Sequence, residues 1–306
     1  MGAFIVAEGV GQVYAGGTVA LDDVSVEIDI GLFGLLGSNG AGKSTLMRII
    51  CTLLVPTRGR VTVGGLDVVT HRREVRRLFG YLPQQFGAWR LQTVQEVLDT
   101  LATLSGLHDR QIRRRRIDAV LDTVGLAQVA DRKVKHLSGG MTRRLGVAQA
   151  LVHEPKVLIV DEPTVGLDPE ERLRFRQLMV ELARDRVIVL STHIVADLGS
   201  GCREIALLDR GKLAFKGAPA ELVALAAGRV IEVSVPQSAE AKLADRMELV
   251  ARRYGRGEVV LRGVLREGHA PVEARIAKDI TLEEAYLAFM VGRGRSIDEL
   301  DAADAA

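Results

Sequence analysis

Apolar and polar residues alternate through FIVAEGVGQVY and again through LDDVSVEIDI, so residues 4–30 read as antiparallel strands around a Gly-containing turn. The run from Leu32 to Leu36 is apolar without a break and predicts a buried strand, and Thr45 to Thr52 then takes up helical spacing. GRVTVGGLDVVT predicts a further strand pair turning at Gly64-Gly65. HRREVRRLFGYLPQQFG predicts a short basic helix, a strand ending at Leu82 and a loop. Residues 92–128 are helical by periodicity, with Gly106 and Gly125 at helix ends. HLSGGMTRRLGVAQALVHEP reads as a Ser-Gly-Gly turn opening a helix that stops before Pro155. Two more apolar runs, VLIV before Asp161 and VIVLST before His193, lack alternation. Such runs suit central parallel strands covered on both faces.

From Gly228 the pattern changes. RVIEVSV and EVVLRGVLR alternate as strands, while SAEAKLADRMELVARRYG looks helical. LEEAYLAFM places Leu282, Ala285, Tyr286 and Phe289 at helical spacing, which can cover a small sheet. Three regions are therefore expected: a first domain over 1–227 with a helical part at about 86–155, an α+β accessory domain over 228–292, and a polar, Ala/Asp-rich tail over 293–306 expected to be disordered.

Composition narrows this picture modestly. The 306 residues suit about two domains, and 47% hydrophobic with 26% charged residues is ordinary for a soluble globular chain. A net charge of +2, from 41 basic and 39 acidic residues, advertises no nucleic-acid partner. No apolar run approaches the roughly 20 residues that span a bilayer. MGAFIVAEGV lacks the basic start of a signal peptide, and the two cysteines, Cys51 and Cys202, lack metal-ligand spacing, so a reducing cytosol is expected.

The chemistry concentrates in GSNGAGKST: Gly37, Ser38, Asn39, Gly40, Ala41, Gly42, Lys43, Ser44 and Thr45 match a phosphate-binding loop between strand and helix. Glycines let the loop N–H groups converge, and the helix start adds roughly half a positive charge. Lys43 can reach the β- and γ-phosphates of a nucleoside triphosphate, and the Ser44 hydroxyl can ligate Mg2+. Gln84, Asp161, Glu162 and His193 all follow apolar strands, which places them at the carboxyl edge of the same sheet. There Asp161 is expected in the Mg2+ shell and Glu162 as general base for water, with Gln84 and His193 near the γ-phosphate. Tyr14, in the turn ahead of the loop, offers an aromatic face for a base. The run Arg113 to Arg116 reads as a solvated helix face.

The order GSNGAGKST, Gln84 loop, LSGGM, VLIVDEP, TVGLD, STH resembles the ATP-binding cassette (ABC) family over roughly residues 4–225, and Leu137 to Gly140 (LSGG) is the most specific part. The resemblance implies an α/β fold: a phosphate-loop NTPase core with an antiparallel β subdomain and an α-helical signature subdomain, followed here by the small α+β appendage. It implies an ATPase using ATP and Mg2+ as a head-to-tail dimer, with a second copy or a homologous cassette. By matching position, Tyr14 stacks on adenine and Gln84 is the transmission-loop residue, counted also in the metal shell. Ser138, Gly139 and Gly140 touch the partner copy's γ-phosphate, Asp168 links the two sites, and His193 is the switch histidine. GYLPQQFG and LSGGMTRRLGVAQAL further resemble exporter ATPases whose membrane part is a separate six-helix chain, placing this one on the cytoplasmic face of the cell membrane. Ser38 stands where proline is commoner, and AWRL, with Trp89, interrupts the stretch that would dock the membrane partner. A soluble cassette ATPase acting on nucleic acid or ribosomes is the alternative; one phosphate loop, one LSGG and no sustained heptads disfavour it.

Overall fold

A computed structural model of the chain describes residues 4–84, 87, 89–199, 201–236, 238, 240, 243, 247–255, 258–266 and 274–296. The alternating N-terminal stretches pair as the pattern predicts. Strand β1 (Ile5–Val13) lies antiparallel to β2 (Val19–Ile28), with Ile5 opposite Ile28 and Ala7 opposite Val26. The apolar run becomes β3 (Gly31–Leu36) in a second sheet, and α1 (Lys43–Ile50) follows it. β4 (Arg58–Val63) returns antiparallel to β1 and turns at Gly64-Gly65 into β5 (Leu66–Asp67), giving the order β2-β1-β4-β5.

The basic α2 (Arg72–Arg77) precedes β6 (Phe79–Leu82). Three helices then run through the middle of the chain: α3 (Val94–Leu104), α4 (Arg110–Thr123) and α5 (Gly139–Leu151). A Thr93–Glu96 capping box starts α3, and Asp109 caps α4. The arginine run departs from a uniformly solvated face. Arg114 and Arg115 are exposed, but Arg113 turns inward to Asp99 (2.6 Å) and Arg116 to Glu154 (2.5 Å). One helix turn carries these four side chains through a full circle, so two of them must meet neighbouring structure.

The unbroken apolar runs are the central strands. β7 (Val157–Asp161) and β8 (Val187–Thr192) join β3, β6, β9 (Glu204–Asp209) and β10 (Lys212–Gly217) in a sheet ordered β10-β9-β3-β8-β7-β6, and α6 (Pro169–Leu182) connects β7 to β8. The pairs β6–β7, β7–β8, β8–β3 and β3–β9 are parallel, and every residue of β7 and β8 is buried. One core joins both sheets through α1: Ile5, Val24 and Val63 from the first, Phe33, Ile159 and Val189 from the second, with Leu46, Met47, Ile49 and Ile50 between. Each such side chain contributes about 1.5–3 kcal/mol by leaving water.

By packing, the chain forms two units, the first of residues 1–193 with 201–216, the second of 194–200 with 217–306. Within the second, α7 (Pro219–Leu225) precedes a sheet of β11 (Val230–Pro236), β12 (Met247–Tyr254), β13 (Glu258–Leu265) and β14 (Arg275–Ile276), ordered β12-β13-β11-β14. Here one expectation fails: MELVARRY, read as the end of a helix, is strand β12. Met247 and Leu249, two apart, face the small core with Ile231 and Leu261. A register irregularity after Leu249 and the exposed stretch Ala251 to Tyr254 hide that period of two in the sequence. The first half of that segment falls largely outside the described residues, as do 297–306 of the expected tail.

The LEEAY segment is helical as expected, α8 (Leu282–Val291), started by a Thr281–Glu284 capping box. Glu284 also binds the guanidinium of Arg262 on β13, fastening helix to sheet. The 3-10 turn Val195–Asp197, which begins two residues after His193, belongs to this same unit and packs against α8.

Candidate functional site

The phosphate loop is the bend between β3 and α1. Gly42 caps the helix with φ of 106°, and a Cβ there would meet the Ala20 carbonyl oxygen at 2.6 Å, so both backbone and space demand glycine. Gly37, Ser38, Ala41 and Gly42 are buried, while Asn39 and Gly40 are exposed at the tip. Lys43 is only 5% exposed, unusual for a lysine. Its Nζ donates to the loop carbonyls of Gly37 (2.5 Å) and Ser38 (3.1 Å) and lies 3.7 Å from Glu162 Oε1. The cation is therefore held within the loop itself. Ser44 is exposed, with Oγ 3.5 Å from Asp161 Oδ2, and the Thr45 hydroxyl shares a 3.1 Å hydrogen bond with the hydroxyl of the exposed Tyr14.

The parallel register brings the remaining groups into line. Asp161 pairs with Ser191 and Leu36 with Thr192, so Gly37, Glu162 and His193 leave their strands along one edge. Asp161 and Glu162 are both 5% exposed. Burial pushes the Asp161 carboxyl above its ordinary value, outweighing the nearby Ser191 hydroxyl and the attraction of Lys43. Its Oδ1 is buried without a hydrogen-bond partner. A desolvated oxygen left free beside the Ser44 hydroxyl, at the mouth of a phosphate loop, fits a hard divalent cation that takes oxygen ligands.

Glu162 adopts φ of 46°, a left-handed conformation costing on the order of 1–3 kcal/mol for such a residue. Its N–H donates to Ser191 O (2.9 Å), which holds the turn. Oε2 lies 2.8 Å from His193 Nδ1, off the line of a hydrogen bond, and neither carboxylate oxygen accepts one. The strained turn thus presents a carboxylate with open lone pairs, flanked by a histidine and the loop lysine. That arrangement can take a proton from water.

The other expected residues sit nearby in the chain's architecture but are not all gathered. Gln84 is exposed just beyond β6, its carbonyl oxygen accepting from Arg143 Nη1 at 2.7 Å. Ser138 caps α5: its Oγ accepts from Met141 N (3.1 Å), which leaves the hydroxyl hydrogen free to donate outward. Ser138 and Gly139 are exposed, whereas Gly140 is buried against Glu171. Asp168 caps α6 and accepts from Glu171 N (2.9 Å). Sequence reasoning missed Arg143, which ties α5 to the carbonyls of Pro83 and Gln84. Adjacent arginines on a helix carry no periodic signal that would single one out. Cys51 is a buried thiol, pushed up to about 12 by burial and by nearby Asp161.

Known proteins share this arrangement. A profile described as ABC transporter matches residues 21–165. The Nod factor export ATP-binding protein I of Ralstonia nicotianae is 35% identical over 295 residues, covering 92% of this chain and 91% of that one. The probable multidrug ABC transporter ATP-binding protein YbhF of Escherichia coli is 33% identical over 282 residues; 88% of this chain is covered but 48% of the relative, so the chain spans about half of that protein. Among solved structures, cbiO1 of Clostridium perfringens, part of the cbiONQ transporter complex, superposes with a TM-score of 0.67 at 28% identity over 73% of this chain and 92% of its own. A dimeric ATP-binding cassette bound to ADP and Pi gives a TM-score of 0.63 at 27% identity over 70% and 98%. Phosphate loop, strand-end acids and LSGG helix together with these matches show that the chain belongs to the ATP-binding proteins of ABC transporters.

Proposed function

We propose that this chain is the ATP-hydrolysing subunit of an ABC exporter, working as a head-to-tail dimer on separately encoded membrane subunits at the cytoplasmic face. The observation that carries the reading is the convergence of Lys43, Ser44, Asp161, Glu162 and His193 along one sheet edge. The export-related names of the relatives and the dimeric cassette among the structural neighbours support direction and assembly. No helix among the described residues is long and apolar enough to cross a membrane.

In this reading the adenine stacks on Tyr14, whose ring is oriented through its hydroxyl by Thr45. The loop N–H groups of 37–45 cradle the phosphates, and Lys43 leaves the loop carbonyls for the β- and γ-phosphates. Ser44, Asp161 and, by resemblance, Gln84 would hold a magnesium ion, which would draw charge from the phosphate oxygens. Glu162 accepts a proton from water as its oxygen attacks the γ-phosphorus; the bond from that phosphorus to the bridging oxygen breaks, and ADP leaves with the electron pair. His193 orients the carboxylate and the γ-phosphate. The partner copy's Ser138, Gly139 and Gly140 cover the outer side of that phosphate, Asp168 stands between the two sites, and the reaction proceeds mainly by positioning and electrostatics.

Glu162→Gln tests this. The amide keeps the shape but cannot take the proton, so ATP binding should persist while turnover falls at least about 10²-fold. ATP should also trap a dimer visible by size exclusion. Parental turnover in this variant would show that Glu162 is not the base.

A further inference from the structure

We propose that Arg143 is a positioning residue that makes the Gln84 loop follow the signature turn of the same chain, so that each copy's own site senses ATP closed against its LSGG. The proposal rests on the dimer reading above. In that dimer, Ser138 of one copy meets the ATP held by the other, whereas Gln84 belongs to the copy's own site. A rigid tie between them would therefore join the two active sites through a single chain.

The geometry of such a tie is present. Ser138 caps α5, its Oγ accepting from Met141 N and its carbonyl from Thr142 Oγ1 (2.9 Å), so the signature turn is locked to the first turn of the helix. Arg143 lies five residues along, about 7.5 Å of stiff helix. From there Nη1 donates to Gln84 O (2.7 Å) and Pro83 O (3.4 Å), the two residues directly after β6. The neighbouring Arg144 points elsewhere, to the carbonyls of Val124 and Gly125 (3.2 Å each) and to Glu171 (3.5 Å). The two arginines thus divide the work: Arg144 holds α5 to the end of α4 and to α6, and Arg143 alone reaches the loop.

Arg143 is also an expensive bond for mere strand capping. Among the described residues no carboxylate pairs with it, and its hydrogen bonds go only to those two carbonyls. Burial holds its guanidinium below the ordinary arginine value, yet the charge is kept. A charged donor to a carbonyl is roughly twice as strong as a neutral one, which suits a link that must pull without slipping.

Trp89 provides the readout. It is the only tryptophan in the chain, is 48% exposed, and follows Gln84 by five positions. In the Glu162→Gln background, Mg–ATP should change Trp89 emission as the dimer closes. Adding Arg143→Ala should leave ATP binding within about threefold and ATP-driven dimerisation visible by size exclusion, yet cut the Trp89 amplitude at least about threefold. Arg143→Lys, which restores one charged donor, should recover part of it. Full amplitude in Arg143→Ala overturns the tie, as does a parent that binds ATP and dimerises without any change at Trp89. Failure of the parent to bind ATP or dimerise would instead refute the dimer reading on which the tie rests.

Discussion

Asp161 offers a test in which stability and function move in opposite directions. Without nucleotide its carboxylate is almost fully buried, Oδ1 has no partner, and Oδ2 has Ser44 Oγ only at the 3.5 Å limit. The Ser191 hydroxyl and Lys43 favour its charged form and Glu162 repels it, but burial dominates. An unmet buried acceptor costs about 1–3 kcal/mol, more when charged. Asp161→Asn keeps the shape and removes the charge, and with it the repulsion from Glu162. It should therefore stabilise the nucleotide-free protein by about 1–2 kcal/mol, which for a unit of roughly 200 residues raises the melting temperature by about 2–8 °C. With Mg–ATP the order should reverse. A ligand at 100 times its Kd adds about 2.7 kcal/mol to the parent, and the variant should lose the part of this that depends on magnesium. Thermal melts in four conditions (buffer, Mg2+, ATP with chelator, Mg–ATP) read both effects. A variant that melts below the parent without nucleotide, or that gains as much from Mg–ATP as the parent, would refute the claim that this oxygen is kept free for a cation.

Two further outcomes follow from other parts of the chain. Lys43→Ala and Ser138→Arg should each reduce turnover at least about 10²-fold, but mixed in equal amounts they should restore about a quarter of parental sites, since half of random dimers are mixed and each retains one intact site of two; steady-state ATPase of the mixture checks this, and no recovery would count against sharing or show that both sites must fire together. In the second unit, burial would raise the Glu284 carboxyl, but hydrogen bonds from Arg262 and from Thr281 N (2.9 Å) outweigh it and hold the group below its ordinary value of 4.5. A carboxylate lowered by folding contributes stability above its unfolded value that is lost as pH falls through its folded value. Protection factors of β13 amides, exchange rates corrected for the intrinsic pH dependence, should therefore fall in acid below about 4.5, and Glu284→Gln should flatten that limb; an unchanged acid limb would show the pair contributes nothing.

What could be read from the sequence was whatever the backbone dictates locally. Gly42 and Lys43 lie in a loop whose bend needs those residue types, and VLIV and VIVLST are continuous because the strands are covered on both sides. Placing Asp161, Glu162 and His193 at one edge followed from strand direction alone. The left-handed φ of Glu162 did not, because glutamate carries no signal for it. Ser138 and Asp168 read as ligand contacts by resemblance; that both are helix caps, with side-chain oxygens already bonded to N–H groups three residues on, is a matter of local geometry the motif does not spell out. Arg143 was invisible because its partners are main-chain carbonyls 59 and 60 positions away, and carbonyls have no sequence identity. Strand β12 was misread because its burial fades from Met247 to Tyr254 instead of alternating.

The turn at Val195–Asp197 has a consequence for how such chains can be altered. Val195, Asp197 and Leu198 are buried, and the turn takes its backing from α8, which begins 85 residues later in the chain. A short piece from the middle of the chain is thus seated by a helix from its far end, inside one folded unit. Trimming the chain short of α8 would uncover Val195 and Leu198 while leaving every nucleotide-binding motif of the sequence intact. A truncation chosen by motifs alone would therefore expose apolar surface that the sequence pattern does not announce.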